Sequence, residues 1–160
     1  MTMTAKIARV EALAVNYAVL GHFKFFAATA NWPHGRPAVV VKITTEDGAI
    51  GWGQSVPSQR WSYETLESVT TTIRNYLGPA LIGYDAFDVD AIHALMGRTI
   101  APSFSTGQPI CKAGIDLALW DLTGKLLKVM AGRLAAPSGA GLGVQVDEQK
   151  LQAHLLADVN

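Results

Sequence analysis

The chain has 160 residues, 49% of them apolar and only 16% charged, with 13 basic against 13 acidic side chains; that balance excludes a nucleic-acid binder, an acidic tail and a disordered chain, and the length suits one domain with a real core. Cys111 is the single cysteine, which excludes an internal disulfide or a multi-cysteine zinc site and points to a reducing cytoplasm. The opening MTMTAKIARVEA has no apolar h-region, and no apolar run approaches the roughly 20 residues of a membrane helix, so neither export by that route nor a membrane location is expected.

In chain order, KIARVEALAVNY (Lys6 to Tyr17) is rich in aliphatics and predicts a strand. Val19 to Pro37 has no sustained period but contains three phenylalanines, Trp32, His22 and His34; it reads as a long loop, and such loops in compact domains are usually functional. Ala38 to Pro57 is a hairpin: β-branched residues from Val39 to Thr44, the Asp47-Gly48 turn signal, then a second strand through Ile50 and Trp52. The period then changes. Leu66, Val69, Ile73, Tyr76 and Leu77 recur every three or four residues and predict a helix from Tyr63 to Leu77, capped by Ser62, with Glu64 in its first turn and Gly78-Pro79 as its stop. A second helix is expected from about Asp88 to Met96, followed by the irregular TIAPSFSTGQP.

The third helix, from about Pro109 to Leu127, is apolar most of the way round, with Ile110, Ile115, Leu117, Leu119, Trp120 and Leu122 among its residues. A helix of that kind is buried on nearly every side. One meander and two short helices are too little to cover it, so the sequence asks for a further layer. Beyond it, Val129 to Ala131 and Leu134 to Ala136 flank Gly132-Arg133 like a short hairpin, Pro137 to Gly143 is a turn-rich link, Val144 to Val146 suggests a strand, and Asp147 caps a last helix through Leu151 and Leu155. The fold class is α+β: a three-stranded antiparallel meander followed by a helical layer.

Few residues suggest chemistry on their own. Glu46 and Asp47, Asp85, Asp88 and Asp90, and Asp147 and Glu148 fall at turns and helix starts, where acidic residues serve as caps; a magnesium site from Asp85, Asp88 and Asp90 lacks a second element to complete it. Gly139, Gly141 and Gly143 do not have the dinucleotide-fingerprint spacing. Cys111 as a nucleophile would need a base and an exposed thiolate, so a buried structural cysteine is the favoured reading. His93 and His154 fall on helices and read as structural or surface residues.

The long first loop, the hairpin ending GWGQSVP, the helix after RWSYET and above all KAGIDLALWDLTGKLL resemble the N-terminal capping domain of the mandelate racemase/muconate lactonizing enzyme family, within the enolase superfamily, over about residues 5 to 127. The most specific pattern is Asp116, Ala118, Leu119, Trp120 and Asp121 with the closing Gly124-Lys125. Gly132 to Leu151 resembles the C-terminus of such enzymes. The resemblance therefore implies an enolase N-terminal-domain-like cap over residues 1–127 and a C-terminal return segment over 128–160 that packs on it. In the family a (β/α)7β barrel lies between the two, and a full barrel needs about 250 residues. What is implied here is a cap without that TIM-type barrel, joined near Leu127 and Lys128.

The function implied is that of a substrate-specificity cap of a Mg²⁺-dependent racemase, cycloisomerase or dehydratase that removes a proton alpha to the carboxylate of a small carboxylic acid. In the full-length family the divalent cation offsets charge on the enediolate oxygens; no cofactor, catalytic residue or metal ligand is implied in this chain, which would be inactive alone. The family's two cap loops correspond by position to Val19–His34 and Ser55–Trp61, which makes His22, Lys24, Phe25, Trp32, His34, Gln54, Ser55, Arg60 and Trp61 the candidate substrate-binding residues. Phe23, Phe25, Phe26 and Trp32 would wall off water, while His22, Lys24, His34 and Arg60 would meet an anionic group, for which a guanidinium has the matching fork. Gln54 stands where family members often carry a glutamate. The expected partners are a small carboxylate once a barrel is supplied and a second copy of the chain, with no nucleic acid and no membrane. The alternative is a self-associating or partner-binding module using the apolar third helix, and a small complete enzyme using Cys111 or the loop histidines is the remaining reading.

Overall fold

A computed structural model describes residues 4–17, 35–127, 146–156 and 159. Three strands, β1 (Ile7–Tyr17), β2 (Arg36–Thr45) and β3 (Ile50–Ser55), form an antiparallel sheet in the order β1-β2-β3. Alternate residues Val39, Val41 and Ile43 of β2 are fully buried, as the period of two in a half-covered sheet requires. The β2–β3 turn forms because Gly48 adopts φ +85°, open to glycine at no steric cost. The Thr45 hydroxyl reinforces it by accepting the Ala49 N–H at 2.9 Å and bonding the Asp47 carboxylate.

The helical layer departs from the sequence reading at its start. Helix α1 spans Leu66–Thr72, and its N-cap is Thr65, whose hydroxyl accepts the Ser68 N–H at 3.2 Å while the Ser68 hydroxyl accepts the Thr65 N–H at 2.9 Å. Ser62 instead closes a tight turn on Ser58, and Glu64 lies ahead of the helix rather than in its first turn. Nor does Gly78-Pro79 stop the helix: a π-helical turn, Ile73–Leu77, leads into α2 (Gly78–Leu81). The Gly78 N–H reaches back to the Ile73 carbonyl, and this wider turn admits Pro79, which has no N–H to place and a ring that clashes in a regular helix.

Helix α3 runs Val89–Thr99, three residues past the expected end, with Asp88 as N-cap. Helix α4 occupies Pro109–Leu127, the bounds expected from its sequence. The core lies between sheet and helices, where Ile73, Leu77, Leu81, Ile92, Ile115, Leu119 and Leu122 are wholly buried. Helix α5 (Glu148–Ala153) begins at the expected cap Asp147 but ends before Leu155, which bridges to Val15 of β1 instead. The hairpin expected over 129–136, the glycine-rich link and most of the strand expected at Val144 to Val146 lie outside the described residues.

Three different groups occupy the outer edge of β1. Residues 83–86 bond its beginning, through Ile7 N–H to the Tyr84 carbonyl (2.9 Å), Gly83 N–H to the Ile7 carbonyl (2.8 Å) and Ala86 N–H to the Ala5 carbonyl (2.8 Å). The Arg74 guanidinium donates to the Ala12 carbonyl at 2.8 and 3.1 Å and to the Val159 carbonyl at 3.1 Å. The end of β1 pairs with the C-terminal segment, through Leu156 N–H to the Ala14 carbonyl (3.0 Å) and Asn16 N–H to the His154 carbonyl (3.1 Å). On the other edge, Trp52 of β3 donates its N–H to Asp121 Oδ2 of α4 at 2.9 Å, and Lys125 binds the same carboxylate. Unpaired strand edges invite association, and here both carry partners.

Candidate functional site

The antiparallel topology decides where a site can form. β1 ends at Tyr17, β2 begins at Arg36 and β3 ends at Ser55, so the segments leaving Tyr17 and Ser55 start from the same end of the sheet. The N-terminus of α4 joins them there, because Gly51 and Gly53 let the helix lie directly on β3. A Cβ at Gly53 would come within 2.0 Å of the Gly114 carbonyl oxygen, and one at Gly51 within 2.2 Å of the Ala118 carbonyl oxygen. This close approach accounts for the Gly-Trp-Gly motif.

Of the candidate residues, Gln54, Arg60 and Trp61 are exposed at this end, Trp61 to 68%. Ser55 is buried and faces α4, its hydroxyl donating to the Cys111 carbonyl at 3.4 Å, so it belongs to the sheet–helix seam. His22, Lys24, Phe25, Trp32 and His34, together with Phe23 and Phe26, lie outside the described residues.

Sequence reasoning missed Glu64. Its side chain is buried, and its two carboxylate oxygens accept the N–H groups of Ile110 (2.8 Å) and Cys111 (2.7 Å) in the first turn of α4. A buried carboxylate is costly unless fully bonded, and a helix N-terminus supplies N–H donors and a partial positive charge. The signal in the sequence is a missing cap: α4 is preceded by Thr-Gly-Gln rather than by a serine, threonine or aspartate at the cap, so its first N–H groups need an acceptor from elsewhere.

Cys111 is buried, its Sγ 3.8 Å from the Val69 carbonyl. Burial first, and then the neighbouring Glu64 charge, push its thiol up to about 12. A protonated, inaccessible sulfur is no nucleophile at neutral pH, and the enzyme reading based on it falls. The acidic residues serve locally: Asp85 Oδ1 accepts the Ala5 and Phe87 N–H groups, and Asp88 and Asp147 cap helices. Among the described residues no group of three His, Cys, Asp or Glu side chains is placed to hold a metal ion, and no helix is long and apolar enough to cross a membrane. His93 Nε2 lies 2.6 Å from Asp116 Oδ1, joining α3 to α4, and His154 Nδ1 lies 2.7 Å from the Lys150 carbonyl; both histidines are exposed.

Helix α4 is not covered all round. Its inner residues Ile115, Ala118, Leu119 and Leu122 are buried, while Leu117 and Trp120 on the other side are 44% and 59% exposed.

Comparison with known proteins places this geometry. Residues 25–134 match the family model described as the mandelate racemase/muconate lactonizing enzyme N-terminal domain. The chain is 38% identical over 91 residues to an N-succinyl-L-Arg/Lys racemase of Bacillus cereus, a match covering 57% of this chain and 23% of the racemase. It is also 38% identical over 98 residues to a chloromuconate cycloisomerase of Cupriavidus necator, covering 60% of this chain and 25% of that one. Among solved structures, the Bacillus cereus racemase superposes with a TM-score of 0.66 at 30% identity, over 82% of this chain and 35% of that chain. The muconate lactonizing enzyme of Pseudomonas putida gives 0.63 at 25% identity, over 82% and 34%. The matched region thus spans about a quarter to a third of each relative's length.

Proposed function

Because this chain belongs to the mandelate racemase/muconate lactonizing enzyme family, as its N-terminal domain, we propose that it serves as the capping, substrate-specificity domain of a cytoplasmic Mg²⁺-dependent racemase, cycloisomerase or dehydratase. The substrate is a small carboxylic acid that loses its alpha proton. Relatives named for N-succinyl-L-Arg/Lys, chloromuconate and L-Ala-D/L-Glu all point to carboxylate-bearing small molecules. The described residues do not fit a magnesium site. This chain's part is therefore to close over the substrate from the loop end of the sheet, with Arg60 and Trp61 there to offer a carboxylate partner and an apolar wall. Proton abstraction is assigned to a barrel, and the chain alone is expected to be inactive.

The observation that carries this reading is the outer face of α4, where Leu117 and Trp120 remain exposed on a helix otherwise built for burial. An apolar helix face of this kind suits a large covering domain. The test is deuterium exchange at the alpha carbon of N-acyl amino acids and dipeptides, with Mg²⁺ in D₂O. The pure chain should give none, and adding the catalytic barrel of a family member should allow it; exchange catalysed by the pure chain would overturn the capping assignment.

The same exposed face favours a second reading, a module that associates with a second copy through Leu117 and Trp120. Sedimentation velocity separates the two, since a chain that stays monomeric across its soluble concentration range argues against self-association.

A further inference from the structure

A third loop shares the site end of the sheet. Residues 101–108 lead into α4, and they are held there by contacts from outside the loop. Lys112 Nζ donates to the Ile100 carbonyl at 2.7 Å, fixing the loop's start. At its end, the Tyr63 hydroxyl lies 2.5 Å from Thr106 Oγ1 and accepts the Gln108 N–H at 3.2 Å. Tyr63 is the neighbour of Glu64, whose carboxylate grips the next residues of α4. Two consecutive side chains of one loop therefore hold the foot of the other.

The backbone at that foot is strained. Gly107 has φ +71°, and Gln108, with a full side chain, has φ +55°, a left-handed conformation that costs about 1 kcal/mol or more outside glycine. The Gln108 Oε1 atom is buried without a hydrogen-bond partner among the described residues. Such a conformation persists only where its surroundings over-determine it. What the loop presents is Phe104, fully exposed, at the end of the molecule that also exposes Trp61.

We propose that Tyr63 is a positioning residue that latches residues 101–108 to the loop following β3, so that the two loops form one wall of the ligand-facing end and Phe104 adds an apolar contact to it. What the wall faces rests on the capping reading; the latch itself does not. A ligand drawing in Trp61 or Arg60 would pull the 101–108 loop with it, because Tyr63, two residues on from Trp61, is bonded to that loop through its hydroxyl. The substrate feature this wall selects is an apolar group carried beside the carboxylate.

Native-state hydrogen exchange on the whole chain tests the latch. Tyr63→Phe removes one oxygen, and Thr106→Val removes its partner. Each should speed exchange of the amides from Ser103 to Gln108, and of those from Gln59 to Ser62, by roughly fivefold, while Val41 and Leu119 in the core keep their rates. Gln108→Gly retains the backbone N–H and should keep the two loops coupled. A second signature is the Tyr63 phenol, which the Thr106 hydroxyl, and then the Gln108 N–H, hold below its ordinary range; in Thr106→Val its titration, followed by NMR, should move up. If only one loop loosens, or if the core loosens with them, the latch is wrong and Tyr63 is an ordinary packing residue. That result would not touch the capping reading, and failure of the capping reading would not alter the exchange pattern.

Discussion

Glu64 shows how much one side chain decides at the site end. With both oxygens on helix N–H groups, it does for α4 what a local cap would do, from 46 residues away in sequence. Glu64→Gln replaces one acceptor with an amide donor that faces an N–H, and should cost about 2 kcal/mol, read as a fall of roughly 4–8 °C in Tm; an unchanged Tm would mean that the clamp contributes nothing. Cys111 gives the pH dependence. Its thiol is raised from an ordinary 9.0 to about 12, so the unfolded chain releases this proton first as pH rises. The stability tied to the protonated thiol is complete below pH 9.0 and is lost progressively towards about 12. Denaturation midpoints of wild type and Cys111→Ala, compared at pH 8 and pH 11, should converge at the higher pH; a constant difference would contradict the shift. The buried cysteine was legible in the sequence and is found so, but the Glu64 clamp was not, since a carboxylate beside a predicted helix start looks like a first-turn residue until its partner's position in space is known.

At the scale of elements, the pattern of the sequence carried far. The period of two in β2, the Asp47-Gly48 turn and the continuous apolar character of α4 were enough to place the meander and the longest helix. Helix starts and stops were read less well, because they depend on competition: Thr65 and Ser62 both offer a hydroxyl, and only the reciprocal bond with Ser68 selects Thr65. Pro79 read as a terminator because a regular helix cannot hold it, and the π turn before it was invisible to periodicity. The joint between β3 and α4 makes a sharper prediction. Gly53→Ala would drive a methyl to 2.0 Å from a backbone oxygen and 2.6 Å from the Ala118 backbone nitrogen, and neither can swing aside as a side chain can. The helix must shift, at a cost of about 1–3 kcal/mol or more. Thermal melts read that cost, and wild-type stability in Gly53→Ala would refute the close approach.

At the scale of the whole molecule, the capping and self-association readings both turn on the exposed face of α4. Leu117→Lys with Trp120→Gln should leave folding within about 0.5 kcal/mol of wild type, as surface changes do, while lowering light scattering at high concentration and abolishing association with a barrel domain. Unchanged association would move the interface elsewhere. The family was legible because the α4 motif and the hairpin are both present in the chain. The candidate substrate-binding residues were read by position alone, and five of the nine lie between Tyr17 and Gly35, outside the described residues. The occupied margins of the sheet carry one further consequence. With β1 bordered by residues 83–86, Arg74 and the C-terminal segment, and β3 by Asp121 at the Trp52 N–H and Lys125 at the Ile50 carbonyl, both borders carry partners among the described residues, which blunts the addition of another strand there. On the capping reading, the surface left for a covering domain is the helical face with Leu117 and Trp120, where specificity would rest on shape and apolar fit that a few surface substitutions retune without disturbing the sheet.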